Sequence, residues 1–442
     1  MRTFVFIFCY FFLQFIPMGA KTFEDSAHTK LKDFFREPGA TYIIKNHHKT
    51  KETIQLPPDI TILFEGGSIS CDLVLNGTLL KGNVKLQGTT ISGTIRNSVF
   101  NAQWLCYADG KRDDAENINS ILKICKEVKF PKGIYLLESM HHPIYKINKP
   151  YHIGINRTGI KLTGEKGAIL TSKTMAGMLC IYSKPYDIKN SIRDIKIEGL
   201  TFTVQNENTN WDSYQEHCHT VSLMGVNGLI IEKCEFQNFW GDAICLNHYG
   251  DNVQTGERAR NINIIIRNNR IDGYKFCNRN GISVINGQSV IIENNRIANT
   301  SYHTMPGAID IEANDTAYTV DNIKIRENKI DNCQGKNGAI SVISNKEGAP
   351  AHNIEITNNR ITNSRRAFRF YVWKDYTASN IIVKNNYIDK NTDPWKWDGT
   401  GRTRNWEFIG NTFRRPTSVK FGQDIKIEGL TYKNNRVTIT KP

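Results

Sequence analysis

The sequence predicts an all-β chain wound as a parallel β-helix, a solenoid that lengthens by adding coils rather than domains. Three observations predict it. First, a phrase of alternating Ile or Val recurs in the C-terminal half at a period of about 25–35 residues, and period-2 alternation marks strands rather than helices. It reads Ile264-Ile265-Ile266-Arg267-Asn268-Asn269-Arg270-Ile271 and returns at Val290 to Ile297, Ile323 to Ile330, Ile354 to Ile361 and Ile381 to Ile388, with a degenerate copy at Phe408 to Phe413. Second, Asn269, Asn295, Asn328, Asn359, Asn386 and Asn411 hold one register through these copies, with Cys234 in the equivalent place one coil earlier. Asn side chains stacked at ~4.8 Å can bond one another and the bending backbone, so this register indicates an internal ladder. Third, a second strand lies between successive ladders: Thr220 to Leu223, Ala243 to Leu246, Gly281 to Val284, Ala308 to Ile311, Ala339 to Val342 and Ala367 to Phe370. Its second and fourth members are large and apolar and are expected to face inward. The first and third are expected to face outward, the first always small, leaving room for something to lie against that sheet.

Upstream elements follow the same logic. Residues 1–20 carry Arg2, an apolar run from Phe4 to Ile16 and the small residues Gly19-Ala20 before Lys21, the pattern of a cleaved secretory signal peptide. A bilayer span needs ~20 apolar residues, so a secreted or periplasmic protein with no membrane span is expected. Residues 21–100 are expected to form a β-rich N-terminal cap or first coils, with Gly-punctuated segments such as Gly66-Gly67-Ser68-Ile69. Residues 101–442 are expected to be the solenoid. It opens on an amphipathic helix, because Ile118, Ile121, Leu122 and Cys125 recur at helical spacing behind Asp113 as expected N-cap, with Glu116 three residues on. A helix there would cover the open first coil and shield its strand edges.

Composition limits the function classes. A hydrophobic fraction of 39% and a charged fraction of 23% exclude a disordered chain and a multispan membrane protein. The net charge of +14 favours an anionic ligand, and export makes that a polysaccharide, possibly acidic, rather than nucleic acid. Without Cys9 the cysteine count is odd and no C-x-x-C pair occurs, so most cysteines are expected to be small buried residues, with a disulfide or two left open. Nothing in the sequence fixes an oligomeric state.

The Asp109-Gly110-Lys111-Arg112-Asp113-Asp114-Ala115 segment, the Pro131-Lys132-Gly133-Ile134-Tyr135 strand and the Asn-laddered coils together resemble the pectate-lyase-like right-handed β-helix superfamily. That superfamily holds polygalacturonases, other glycoside hydrolases, polysaccharide lyases, uronan epimerases and phage tailspikes. The resemblance spans about residues 101–442, and residues 55–100 look like the caps of exported β-helix proteins of gut Bacteroidetes. It implies a right-handed, single-stranded solenoid and a carbohydrate-active protein. Gly241-Asp242-Ala243 echoes half of the polygalacturonase G-D-D motif, but the second Asp and the N-T-D, G-H-G and R-I-K motifs are missing, which argues against an ordinary polygalacturonase.

Register then selects candidate residues. Aligning the inter-ladder strands puts Cys245, Ser283, Asp310, Ser341 and Arg369 in one outward row and Asn247, Ile285, Glu312, Ile343 and Tyr371 in the next. His219, Asp242, Asn280, Gly307, Gly338 and Arg366 form the row before. Asp310 and Glu312 would lie ~6–7 Å apart, with Asp242 at ~10 Å. Carboxylates so spaced suit acid–base cleavage of a glycosidic bond, making Asp310, Glu312 and Asp242 the catalytic candidates of a glycoside hydrolase with no cofactor or metal. Arg369 suits a substrate carboxylate, and His219, His248 and His303 suit assistance to proton transfer. Asn247, Tyr371, Trp373 and Trp211 complete the expected substrate-binding set, and Trp395-Lys396-Trp397 reads as an exposed aromatic loop. Two alternatives stand. In a lyase or epimerase acting on uronic acids, Asp310, Glu312 and Asn247 would hold Ca²⁺ and Arg369 or Lys374 would abstract a proton. In a non-catalytic glycan-binding β-helix the same face would only bind.

Overall fold

The computed structural model describes residues 21–141, 150–184, 189–205, 216–248, 260–273, 278–300, 307–314, 318–344, 351–373, 377–391, 393–399, 401–414 and 427–438. The chain divides into two compact units, Met1–Asn97 and Ser98–Pro442. In the first, six strands pair in parallel, the longest being Ser68–Gly82, which binds Thr61–Phe64, His47–Gln55 and Ile91–Ile95. Alternate residues such as Tyr42, Ile44, Ile62 and Phe64 are buried, as a half-buried pleat requires.

The second unit is the solenoid. Among the described residues its strands stack into two twelve-stranded sheets and one nine-stranded sheet, and every pairing between them is parallel. One coil runs Asn261–Arg267, Arg270–Asp272, Ile282–Val284, and the next begins at Gly287–Glu293. A full coil therefore has three strands, and nine coils show all three among the described residues, where the alternation alone showed two. The extra strand arises at the Asn-Asn doublet, which bends the apolar phrase in the middle. The first Asn of the doublet takes a left-handed backbone (Asn268 φ 56°, Asn294 φ 54°, Asn358 φ 57°, Asn385 φ 56°), a conformation Asn tolerates better than other side chains.

The second Asn of each doublet builds the ladder. Asn269, Asn295, Asn328, Asn359 and Asn386 each donate Nδ2–H to the Oδ1 of the next at 3.0 Å, and Asn411 donates to Asn435 at 2.9 Å. Each Nδ2 also donates to a backbone carbonyl, as Asn328 does to Ile292 at 2.9 Å, and each Oδ1 also accepts a backbone N–H. Cys234 takes the expected place, its N–H reaching Asn269 Oδ1 at 2.9 Å.

The capping helix is Ala115–Ile124, with Ile118, Ile121 and Leu122 buried. Its N-cap is Asp114 rather than the expected Asp113. The Asp113 carboxylate accepts N–H bonds from Ala115, Glu138 and Ser139, while Asp114 accepts from Tyr107 and Ala108. Asp113 thus reaches the first N–H of the helix from one position further back, and both acids tie the helix start to neighbouring backbone. Among the described residues, eight cysteines are buried and outside any disulfide, and no helix is long and apolar enough to cross a membrane.

Candidate functional site

The predicted rows exist. Ser222, Cys245, Ser283, Asp310, Ser341 and Arg369 are successive register partners on the nine-stranded sheet, and Glu312, Ile343 and Tyr371 follow in the next row. The inward positions, such as Ile309, Ile311, Ile340 and Val342, are buried as expected. The expectation of an open outward face needs correcting, because Cys245, Ser283, Asp310 and Ser341 are buried too. Part of the room left by the small residues is filled by the protein itself. Tyr318 packs on Cys245 and Ile285, and its hydroxyl meets His248 Nδ1 at 2.6 Å.

A residue outside the expected set organises the acids. Arg279 is buried beside Asn280, and its guanidinium meets three carboxylates: Asp242 at 3.2 Å, Glu216 at 3.3 Å and Glu312 at 3.6 Å. Asp242 has no exposed surface and also accepts the Asn280 N–H at 3.0 Å. Glu312 and Glu216 keep some contact with solvent, at 15% and 38% side-chain exposure. Asp310 accepts from Ser341 Oγ through Oδ1 at 2.5 Å, and its buried Oδ2 has no hydrogen-bond partner among the described residues.

This packing sets the electrostatics. Burial, then the charge of Glu312, raises the proton affinity of Asp310 far above that of an ordinary carboxylate, against the Ser341 bond and Arg279. Burial raises Glu312 as well, with Arg279 opposing. Burial alone would lower the affinity of Arg279, but the charges of Asp242, Glu312, Asp310 and Glu216 outweigh it and hold the guanidinium charged. The imidazole of His219 is pushed down to about 4 by burial, against the pull of Asp242, so it is neutral. Its Nδ1 accepts the Asp242 N–H at 3.2 Å, which leaves the proton on Nε2.

His219, Asp242 and Cys245 bring three potential metal-ligand atoms within 4.8 Å of one another. Their other bonds do not suit a cation. Asp242 is neutralised by Arg279, the His219 lone pair faces a backbone N–H, and burial together with Asp242 pushes the Cys245 thiol up, keeping it protonated.

The structure gathers Asp310, Glu312, Asp242 and His219: Arg279 bridges Asp242 and Glu312, His219 sits against Asp242, and Asp310 interacts with Glu312 and Arg279 through charge alone. Other expected residues sit apart. Arg369 is bonded to Asn337 and lies 5.4 Å from the Tyr371 ring, which is 6.1 Å from the half-exposed Trp373. His248 is engaged by Tyr318, and Asn247 accepts the His248 N–H at 2.8 Å. Trp211, His303 and Lys374 lie outside the described residues. Trp395 and Trp397 are not in a loop: they fall in the strand Asp393–Gly399, opposite Phe368 and Phe370. Arg279 and Glu216 were missed. Arg279 immediately precedes a residue of the aligned rows, a signal that could have found it, whereas Glu216 belongs to no register.

Stacked three-strand coils with parallel pairing place the chain in the fold class of parallel β-helix proteins. A family model described as a right-handed β-helix region matches residues 219–388. No curated protein matches the sequence significantly. Among solved structures, an exopolygalacturonase of Thermotoga maritima is 12% identical, with 78% of this chain and 92% of that one covered at a TM-score of 0.55. The catalytic unit of an α-1,3-glucanase from Streptomyces thermodiastaticus is 12% identical, with 95% and 69% covered at 0.50. The Streptococcus pneumoniae adhesin PfbA is 13% identical, with 77% and 97% covered at 0.48. At 12% identity the likeness to the exopolygalacturonase and the glucanase is one of fold, which by itself does not fix function.

Proposed function

We propose that the chain is an exported polysaccharide hydrolase whose proton-transfer centre is the Asp310–Glu312 pair. The observation that carries this reading is the pair itself: adjacent carboxyls in a low-dielectric setting, both with raised proton affinity, one of whose oxygens is unbonded. Two like charges so placed cannot both ionise easily, so the pair retains a proton near neutral pH. Glu312, the partly exposed member, donates it to the glycosidic oxygen, and Arg279 stabilises the carboxylate that results. Hydrolysis also needs a group to take a proton from water. We assign that role to Glu216, the most exposed acid of the cluster, with Asp242 and His219 as positioning residues behind Arg279. Arg369, Tyr371 and Trp373, two coils further along the sheet, suit contact with a neighbouring sugar. The mechanism uses no metal, and residues 1–20 direct export.

A glycan-panel screen tests this. Reducing ends should appear without the absorbance of an unsaturated uronide and regardless of chelator. Glu312→Gln should lower kcat at least ~100-fold with little change in Tm. Near-wild-type turnover in that variant would remove the pair from catalysis. An unsaturated product would point to elimination, and binding with no product from any glycan would point to a binding module.

A further inference from the structure

The nine-stranded sheet carries a second feature near its N-terminal end. Between the helix Ala115–Ile124 and the strand Tyr151–Ile155 lies a cavity of about 280 Å³, the scale of a small ligand. Leu122, Ile155 and Ile160 give it an apolar wall. The rings of Tyr151 and Tyr182, 6.0 Å apart with hydroxyls at 3.3 Å, close one side. Tyr151 can lie there because residue 154 is glycine: a Cβ at that position would meet its ring at 2.9 Å.

The polar lining divides into committed and uncommitted groups. Asn119 is committed, donating to the His152 carbonyl at 2.8 Å and accepting the Gly154 N–H at 3.0 Å. His141 is committed too, to Asn119 at 2.9 Å and to Glu116, outside the lining, at 3.3 Å. The cations are not neutralised. Arg157 uses Nη1 to reach the Leu122 carbonyl at 2.6 Å and pairs with no carboxylate among the described residues. Lys123 is exposed and likewise unpaired among them. Two free cations beside an apolar wall match the chemistry of a sugar that carries an acid group.

We propose that this cavity binds one acidic saccharide unit, its carboxylate or sulfate held between Lys123 and Arg157. Gly154 belongs to the same outward row as Asp310, five coils earlier through Cys180, Ser222, Cys245 and Ser283. At ~4.8 Å per coil the separation is about 24 Å, too far for the unit being cleaved. A long chain lying along the sheet would be anchored at one end and cut at the other. The proposal rests on the reading of the chain as glycan-active, but not on the roles of its acids.

Affinity electrophoresis of the full chain tests it, in gels holding polygalacturonate or alginate (carboxylate), carrageenan (sulfate) or dextran (neutral). A protein of charge +14 adheres to any polyanion, so the control must match the charge removed. Lys123→Glu/Arg157→Gln is compared with Arg296→Gln/Lys329→Glu on the exposed side of the ladder turn. The cavity variant should weaken binding to at least one acidic glycan about tenfold more than its control, with Tm unchanged. Lys123→Glu alone, which leaves the Leu122 bond intact, should give part of that loss. Equal losses in both double variants, or no retardation of wild type by any acidic glycan, would overturn the proposal. Asp310→Asn separates the two readings: it should keep cavity binding while losing turnover. Cleavage without a cavity effect would sink the anchor and leave the hydrolase standing.

Discussion

The asparagine ladder and the acid cluster are both polar, both buried and both built by coil stacking, yet their chemistry is opposite. In the ladder every rung is satisfied: Asn328 donates to Ile292 and Asn359 and accepts from Asn295. Neutral amides that find all their partners can stay in a core at little net cost. In the cluster four carboxyls surround one guanidinium, and Asp310 keeps an oxygen with no partner. Such an arrangement is held in place by the rest of the fold rather than by its own bonds. The comparison separates a polar network that stabilises from one available to do chemistry.

The largest expected effect comes from the ion at the centre of the cluster. Arg279→Met should cost about 3–5 kcal/mol in a denaturant melt, because Asp242 and Glu312 would be left buried without a counter-charge. A loss under about 1 kcal/mol would mean that solvent reaches the cluster and that its carboxyls are ordinary. Next, Asn328→Leu should cost about 3 kcal/mol, since it orphans the Ile292 carbonyl and the amide of Asn295. Cooperative unfolding at the wild-type midpoint would remove the ladder from the account of stability.

The third effect is a pH slope. The native affinity of Asp310 for its proton lies above the unfolded value, so its contribution is fully present below the unfolded pKa and is lost as pH rises through the native one. Stability of the wild type should therefore fall relative to Asp310→Asn between about pH 5 and about pH 8. Parallel curves for the two proteins would show that the carboxyl is not perturbed. The smallest effect sharpens the contrast from the other side. Asn380 and Asn405 form an exposed counterpart to the ladder, Asn380 bonding Asn353 at 2.9 Å and Asn405 bonding Asn380 at 3.1 Å. Asn380→Asp, which keeps a side chain that tolerates the left-handed backbone at that position, should shift stability by less than about 0.5 kcal/mol. A shift as large as that of Asn328→Leu would mean that burial is not what gives the inner ladder its weight.

Much of the fold was legible because strand alternation and ladder register are local and repeated. The doublet Asn268-Asn269 states both the bend and the bond that fixes it. The row holding Asp310 and Glu312 followed from the same register. Three things were not legible. The cover over Cys245 comes from Tyr318, which no repeat position marks. Arg279 stands one residue outside the aligned rows, and Glu216 comes from a segment before the first of them. The aromatic run at Trp395 and Trp397 looked like a loop because a charged residue interrupts it, yet it pairs as the next strand of the sheet.

By itself the sequence determined the solenoid, its ladder and which side chains share an outward row, because backbone pattern and inward burial depend on near neighbours and a fixed coil spacing. The tertiary structure alone decided what those side chains are worth chemically. Asp242, Arg279 and Glu312 come from three separate coils and Glu216 from outside them, and the proton affinities of Arg279 and Glu312 depend on ion-pair distances of 3.2–3.6 Å and on exclusion of water. Coulombic interaction varies steeply with separation and local dielectric, and neither quantity exists until the coils have stacked.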